Sequence, residues 1–132
     1  MNILNEIKKL NLPFGEYVVV GSGILDILNI RKANDVDILA TSRLHEKLRN
    51  TGEWKESIKY NKIFLEKDMF EIIPELSLDN YKTPTEELIG SAIVVDNIPF
   101  MNLDELCKFK QSRGKEKDLE DIILVNNYLA LK

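Results

Sequence analysis

The segment from Tyr17 to Leu39, YVVVGSGILDILNIRKANDVDIL, constrains the fold more than any other part of the chain. Tyr17–Val20 is a dense apolar run of the kind that sits in a sheet covered on both faces. It stops at Gly21-Ser22-Gly23. Ile24, Leu25 and Leu28 then recur at helical spacing, and Val36–Leu39 resumes the strand pattern. A strand, a tight turn, a short helix and a second strand in so little chain predict an α/β architecture.

Two aspartates sit at the second strand. Side chains alternate along a strand, so Asp35 and Asp37 share a face while Val36 and Ile38 turn to the core. Carboxylates so close raise each other's pKa, and burying them without a partner is costly. A divalent cation with hard oxygen ligands relieves the conflict, so Asp-x-Asp at a strand suits Mg²⁺ or Mn²⁺. Read alone, the same spacing also suits a solvated strand end. Gly-Ser-Gly has two readings as well. It is a tight turn, or a place where glycines admit a phosphate to a helix N-terminus. Neither a Walker motif nor a complete dinucleotide fingerprint is present.

Around this unit, Ile3, Leu4, Ile7 and Leu10 predict an amphipathic first helix that Pro13 and Gly15 end. Ser42 caps a helix to about Arg49, and Thr51-Gly52 breaks it. Ile63–Leu65 and Met69–Ile73 read as strands around a Glu66-Lys67-Asp68 turn. Thr83-Pro84-Thr85-Glu86 reads as a capping box with Thr83 as the cap. Asp96-Asn97 turns a hairpin between Ile93–Val95 and Ile98–Met101. Asn102 with Glu105 starts another helix, which Gly114 interrupts. The last helix runs from about Lys117 to Leu131, with Leu119, Ile122, Ile123 and Leu129 as its apolar face. The whole predicts α/β (α+β): one domain, residues 1–132, with a mixed sheet flanked by helices.

Val20-Gly21-Ser22, twelve residues, then Asp35-Val36-Asp37-Ile38 resembles the signature of the nucleotidyltransferase superfamily typified by DNA polymerase β. The resemblance implies that Gly21, Ser22 and Gly23 hold a triphosphate and that Asp35 and Asp37 hold Mg²⁺. It also implies a third acid from a later strand, and Glu71 is the best match. Glutamate here is a departure from the commoner aspartate; Glu66 and Asp68 are nearby alternates. The segment KFKQSRGKEKDLED, Lys108–Asp121, is similar to the closing helix of small bacterial nucleotidyltransferase-like proteins found as toxin or antitoxin components. Lys110, Arg113, Lys117, Asp118 and Asp121 follow its order, which implies that Lys110 or Arg113 contacts triphosphate. Arg31 and Lys32, in the loop before Asp35, join the candidates for phosphate or acceptor. The implied chemistry is two-metal transfer of a nucleoside monophosphate from a triphosphate to a hydroxyl of a protein, an RNA or a small molecule. The competing reading is a non-catalytic module of the same fold, serving as antitoxin, regulator or complex subunit. In either reading a partner protein or a homodimer can supply the acceptor surface that a short chain lacks.

The chain carries a net charge of −4, which gives no general attraction for nucleic acid or an anionic membrane. Residues 108–117 run against that average, with five basic groups and one acidic group, and point to a local anionic ligand. One cysteine, Cys107, excludes an internal disulfide. No signal peptide and no apolar run of membrane-spanning length is read, so the expected location is cytoplasmic. His45 is the only histidine, which excludes a histidine-rich metal site. Trp54 and Tyr60 are candidates for stacking a base.

Overall fold

A computed structural model describes residues 2–78 and 80–132. The elements in chain order are α1 (Ile3–Lys9), β1 (Tyr17–Val20), α2 (Gly23–Ile27), β2 (Val36–Ala40), α3 (Ser42–Asn50), β3 (Lys55–Lys59), β4 (Lys62–Lys67), β5 (Phe70–Ile73), α4 (Thr85–Gly90), β6 (Ile93–Val95), β7 (Ile98–Phe100), α5 (Leu103–Arg113) and α6 (Glu116–Ala130). The seven strands form one mixed sheet in the order β3-β4-β5-β2-β1-β7-β6. β1 lies antiparallel to β2 and parallel to β7, and β2 lies parallel to β5. The mixed α/β architecture read from the sequence is the one observed.

Burial explains which strands are central. All four residues of β1 are buried, as are Val36, Ile38, Leu39 and Ala40 of β2. Helices cover them: α1 packs on α2 and β7, α2 and α4 on β1, and α3 on β2. The edges are different. β3 reads Lys-Glu-Ser-Ile-Lys and is exposed almost throughout, a charged edge that discourages strand addition. Two hairpins turn through consecutive residues of positive φ, Tyr60-Asn61 and Asp96-Asn97, the backbone that matches strand twist. The second was expected from the sequence. The first, with Tyr60 at positive φ, was not singled out.

Local details correct several boundaries. Thr41, not Ser42, caps α3, and its hydroxyl accepts from the Leu44 N–H at 3.3 Å. Glu66 belongs to β4 and pairs with Glu71, so the turn is confined to Asp68-Met69. Thr83 does not cap α4. Its hydroxyl donates to Glu105 at 3.1 Å, and Pro84 stands at the cap without a side-chain bond. Asn102 does cap α5, accepting from the Glu105 N–H at 2.8 Å. Gly114 ends that helix in the left-handed conformation, φ 66°.

The largest correction is α6. Most of its expected apolar face points outward: Leu119, Ile123 and Leu129 are exposed and Ile122 is half-buried, whereas its buried residues are Asp118, Asp121 and Val125. The helix is turned by ion pairs, described below, rather than by its leucines. Among the described residues no helix is long and apolar enough to cross a membrane.

Candidate functional site

The site is built where the first turn meets the middle of the sheet. Gly21 has φ 68°, a conformation that costs a side-chain-bearing residue about 1–2 kcal/mol. A Cβ built on it would lie 3.2 Å from Asp37 Oδ2, so the glycine also makes room for that carboxylate. Gly23 has another duty. Its Cβ would fall 2.6 Å from Val19 Cγ1 and beside the Phe100 ring, so its missing side chain lets α2 settle on β1 and β7. Asn29, at φ 60°, then reverses the chain, and the Ile30 and Arg31 amides donate back to Leu25 O. Asp26 holds the same loop by accepting from the Ala33 N–H at 2.9 Å. This returns Arg31 to the turn, where its Nη2 donates to Ser22 Oγ at 2.6 Å.

Asp37 sits on β2 between Val20 of β1 and Glu71 of β5. Glu71 in turn stands opposite Glu66 on β4. Three carboxylates therefore line up on neighbouring strands, and directly opposed like charges destabilise a sheet. Asp35 lies just before β2 and is exposed, whereas Asp37 is half-buried. Burial above all, then the charges of Glu71 and Asp35, push the Asp37 carboxyl from 3.8 up to about 6. Arg113 and Lys59 oppose that rise only in part. No side chain among the described residues donates a hydrogen bond to Asp37. Glu71 has a partner: the Lys59 ammonium contacts it directly and reaches Glu66 at 3.4 Å.

The opposite wall comes from α5 and α6, which pack on each other. Arg31 grips Asp121 with two hydrogen bonds, 2.7 and 2.8 Å. Lys110 lies 2.9 Å from Asp121 and 3.5 Å from Asp118. Arg113 grips Asp118 at 2.6 and 2.8 Å. Lys110 is 3% exposed and both aspartates 2%, so this network is interior. Burial pushes Asp121 up, but the bonds from Arg31 and Lys110 prevail and hold it down at about 2. Asp118 is lowered in the same way by Arg113 against the effect of burial. Arg113 differs from Lys110 in reach. Its side chain is 39% exposed, stacks over Phe109 and feels the charge of Asp37.

Three cavities meet at Asp37. One, about 350 Å³, lies among Ser22, Arg31, Asp35, Lys115 and the α5–α6 ionic network. A second, about 260 Å³, runs from Gly21, Ser22 and Arg113 to the rings of Tyr60, Phe64 and Phe109. A third, about 280 Å³, is the acidic cleft of Asp35, Glu66, Asp68 and Glu71 beside Lys59. Fold and turn thus bring together Gly21, Ser22, Arg31, Asp35, Asp37, Glu71, Lys110 and Arg113. Lys110, Arg31 and Arg113 all reach the site already paired to aspartates, and Arg113, the most exposed of the three, is the one whose charge acts on Asp37.

Mg²⁺ is the metal that the sequence resemblance implies. Among the described residues no three Asp, Glu, His or Cys side chains form a ready ion-holding group. The donor set still suits this metal, which takes one or two carboxylates and completes its shell with water and substrate phosphate. Asp37, half-buried, raised in pKa and undonated, is the oxygen ligand such an ion would relieve. Asp35 is the second.

Some residues fall outside the site. His45, on α3, has its Nε2 2.7 Å from Ile63 O on β4. Trp54 is buried under Lys67, which leaves it no face for a base. Tyr60 is 85% exposed at the mouth of the second cavity. Lys59, Phe64 and Phe109 line the site without having been singled out in the sequence. Only Phe109, flanked by Lys108 and Lys110, carried a signal, the interleaving of an aromatic with bases. Comparison with known proteins adds no relative: no family model, curated protein or solved structure matches the chain.

Proposed function

We propose that the chain is a Mg²⁺-dependent nucleotidyltransferase that moves a nucleoside monophosphate from a triphosphate to a hydroxyl acceptor. The observation that carries this reading is the convergence on Asp37: a positive-φ glycine directly against it, Glu71 opposite it and Arg113 facing it. Asp35 and Asp37 would hold Mg²⁺, with Glu71 as the third carboxylate. Bound there, the ion supplies charge neutralisation at the phosphates and a lowered pKa at the acceptor hydroxyl. Ser22 and the turn backbone seat the phosphates, and Arg31 fixes the Ser22 hydroxyl. Arg113 offers its cation to charge developing at the phosphates, a role that needs placement more than covalent chemistry. Asp118 and Asp121 hold the three cations in place without leaving the interior.

The test incubates the protein with each α-labelled nucleoside triphosphate, Mg²⁺ or Mn²⁺, and cell extract fractionated by nuclease. Label should move into protein, RNA or a small molecule with the wild type and not with Asp35→Ala/Asp37→Ala. Transfer by that double variant would refute the assignment.

One observation favours a second reading, a non-catalytic module of this fold. Lys110, Arg31, Arg113 and Glu71 are all paired within the chain. Absence of transfer under every condition, with a folded protein and a stably copurifying partner, would select it.

A further inference from the structure

The row of Asp37, Glu71 and Glu66 sets three carboxylates on neighbouring strands, and one side chain, Lys59, bridges two of them. Lys59 is the last residue of β3, just before the Tyr60-Asn61 turn. Its ammonium contacts Glu71 and lies 3.4 Å from Glu66. It borders both the acidic cleft and the aromatic cavity. The side chain is 42% exposed and hangs from an edge strand, so it can swing into solvent without disturbing the core. An ammonium and a divalent cation cannot share the same carboxylate oxygens without strong repulsion.

We propose that Lys59 is the resident counter-ion of this carboxylate row, and that a divalent cation binds by displacing it. This rests on the metal reading given above and adds to it an exchange: Lys59 releases Glu71 when the ion arrives and returns when it leaves. Lys59 is thus a positioning residue that sets how much free metal the site needs. It suits a site loaded by a metal–triphosphate complex rather than by metal alone, because the bare ion must compete with Lys59.

The test is direct binding of Mn²⁺, without nucleotide, followed by the loss of the free-ion electron paramagnetic resonance signal at fixed ionic strength. Lys59→Met should bind Mn²⁺ roughly tenfold more tightly than wild type, since one competing charge beside a doubly charged ion is removed. Lys59→Arg should bind no more tightly than wild type. Melting curves supply a second readout: Mn²⁺ should raise the Tm of Lys59→Met more than that of wild type. Equal Mn²⁺ affinity in wild type and Lys59→Met would overturn the exchange while leaving the metal site standing. No Mn²⁺ binding by either protein, with Asp35→Ala/Asp37→Ala indistinguishable from both, would overturn the exchange and the metal reading together.

Discussion

Replacing Asp37 by asparagine should make the metal-free protein more stable at neutral pH, the opposite of what a substitution in the middle of a sheet usually does. The reasoning starts from the carboxyl's rise from 3.8 to about 6. A native pKa above the unfolded one means that the folded chain holds its proton longer. Between about pH 4 and pH 6 the native state therefore binds more protons than the unfolded state, and stability falls as pH rises through that window. Above about pH 6 the penalty is constant. The interval from 3.8 to about 6 corresponds to about 3 kcal/mol at full ionisation. Asparagine has nearly the same shape and carries no charge, so Asp37→Asn should recover much of that amount at pH 7.5. For a domain of this size the gain is roughly 10 °C in Tm. The assay is a pair of melting series, wild type and Asp37→Asn, from pH 4 to pH 8 in a chelating buffer. The difference in Tm should be near zero at pH 4, grow to about pH 6 and then level off. Saturating Mg²⁺ should shrink it from the wild-type side. A difference that is independent of pH, or an Asp37→Asn protein less stable than wild type at pH 7.5, would show that the carboxylate is not under strain and would remove the main physical argument for a cation there.

Two other substitutions probe the supports of the site. Lys110→Met leaves Asp118 and Asp121 interior with one cation fewer, and should cost about 3–5 kcal/mol by urea denaturation; a loss below about 1 kcal/mol would mean that Arg31 and Arg113 alone satisfy the pair. Gly21→Ala forces a side chain into φ 68° and to within 3.2 Å of Asp37 Oδ2, and should cost about 1–2 kcal/mol in denaturant midpoints. It should also weaken triphosphate binding in calorimetry; unchanged stability would mean that the turn has a second accessible shape.

How much of this was legible in the sequence depends on the range of the forces involved. Tyr17–Val20 and the Asp96-Asn97 hairpin were readable because period and turn chemistry act over a few residues. The Gly-Ser turn and Asp35-x-Asp37 were readable for the same reason: each is a local pattern. α6 was misread because hydrophobic spacing ranked Leu119 and Ile123 above Asp118 and Asp121. The deciding partner of Asp121 is Arg31, ninety positions away. Thr83 was misread for a related reason, since Glu105 on α5 takes its hydroxyl. Lys59 left no trace in the sequence, because its role appears only when β3, β4 and β5 are laid side by side.

The ionic network has a consequence for the order of folding. Ser22, Arg31, Asp121, Lys110, Asp118 and Arg113 form one chain of contacts whose first members and α6 stand at opposite ends of the sequence. Contacts that close so long a loop form late, after the local strands and helices have paid much of the entropy. On a ribosome, the sheet and the glycine turn can pair while α6 is still unsynthesised, but Arg31 and Lys110 then lack their anions and the wall they form has no fixed shape. That wall takes its shape only once α6 supplies Asp118 and Asp121.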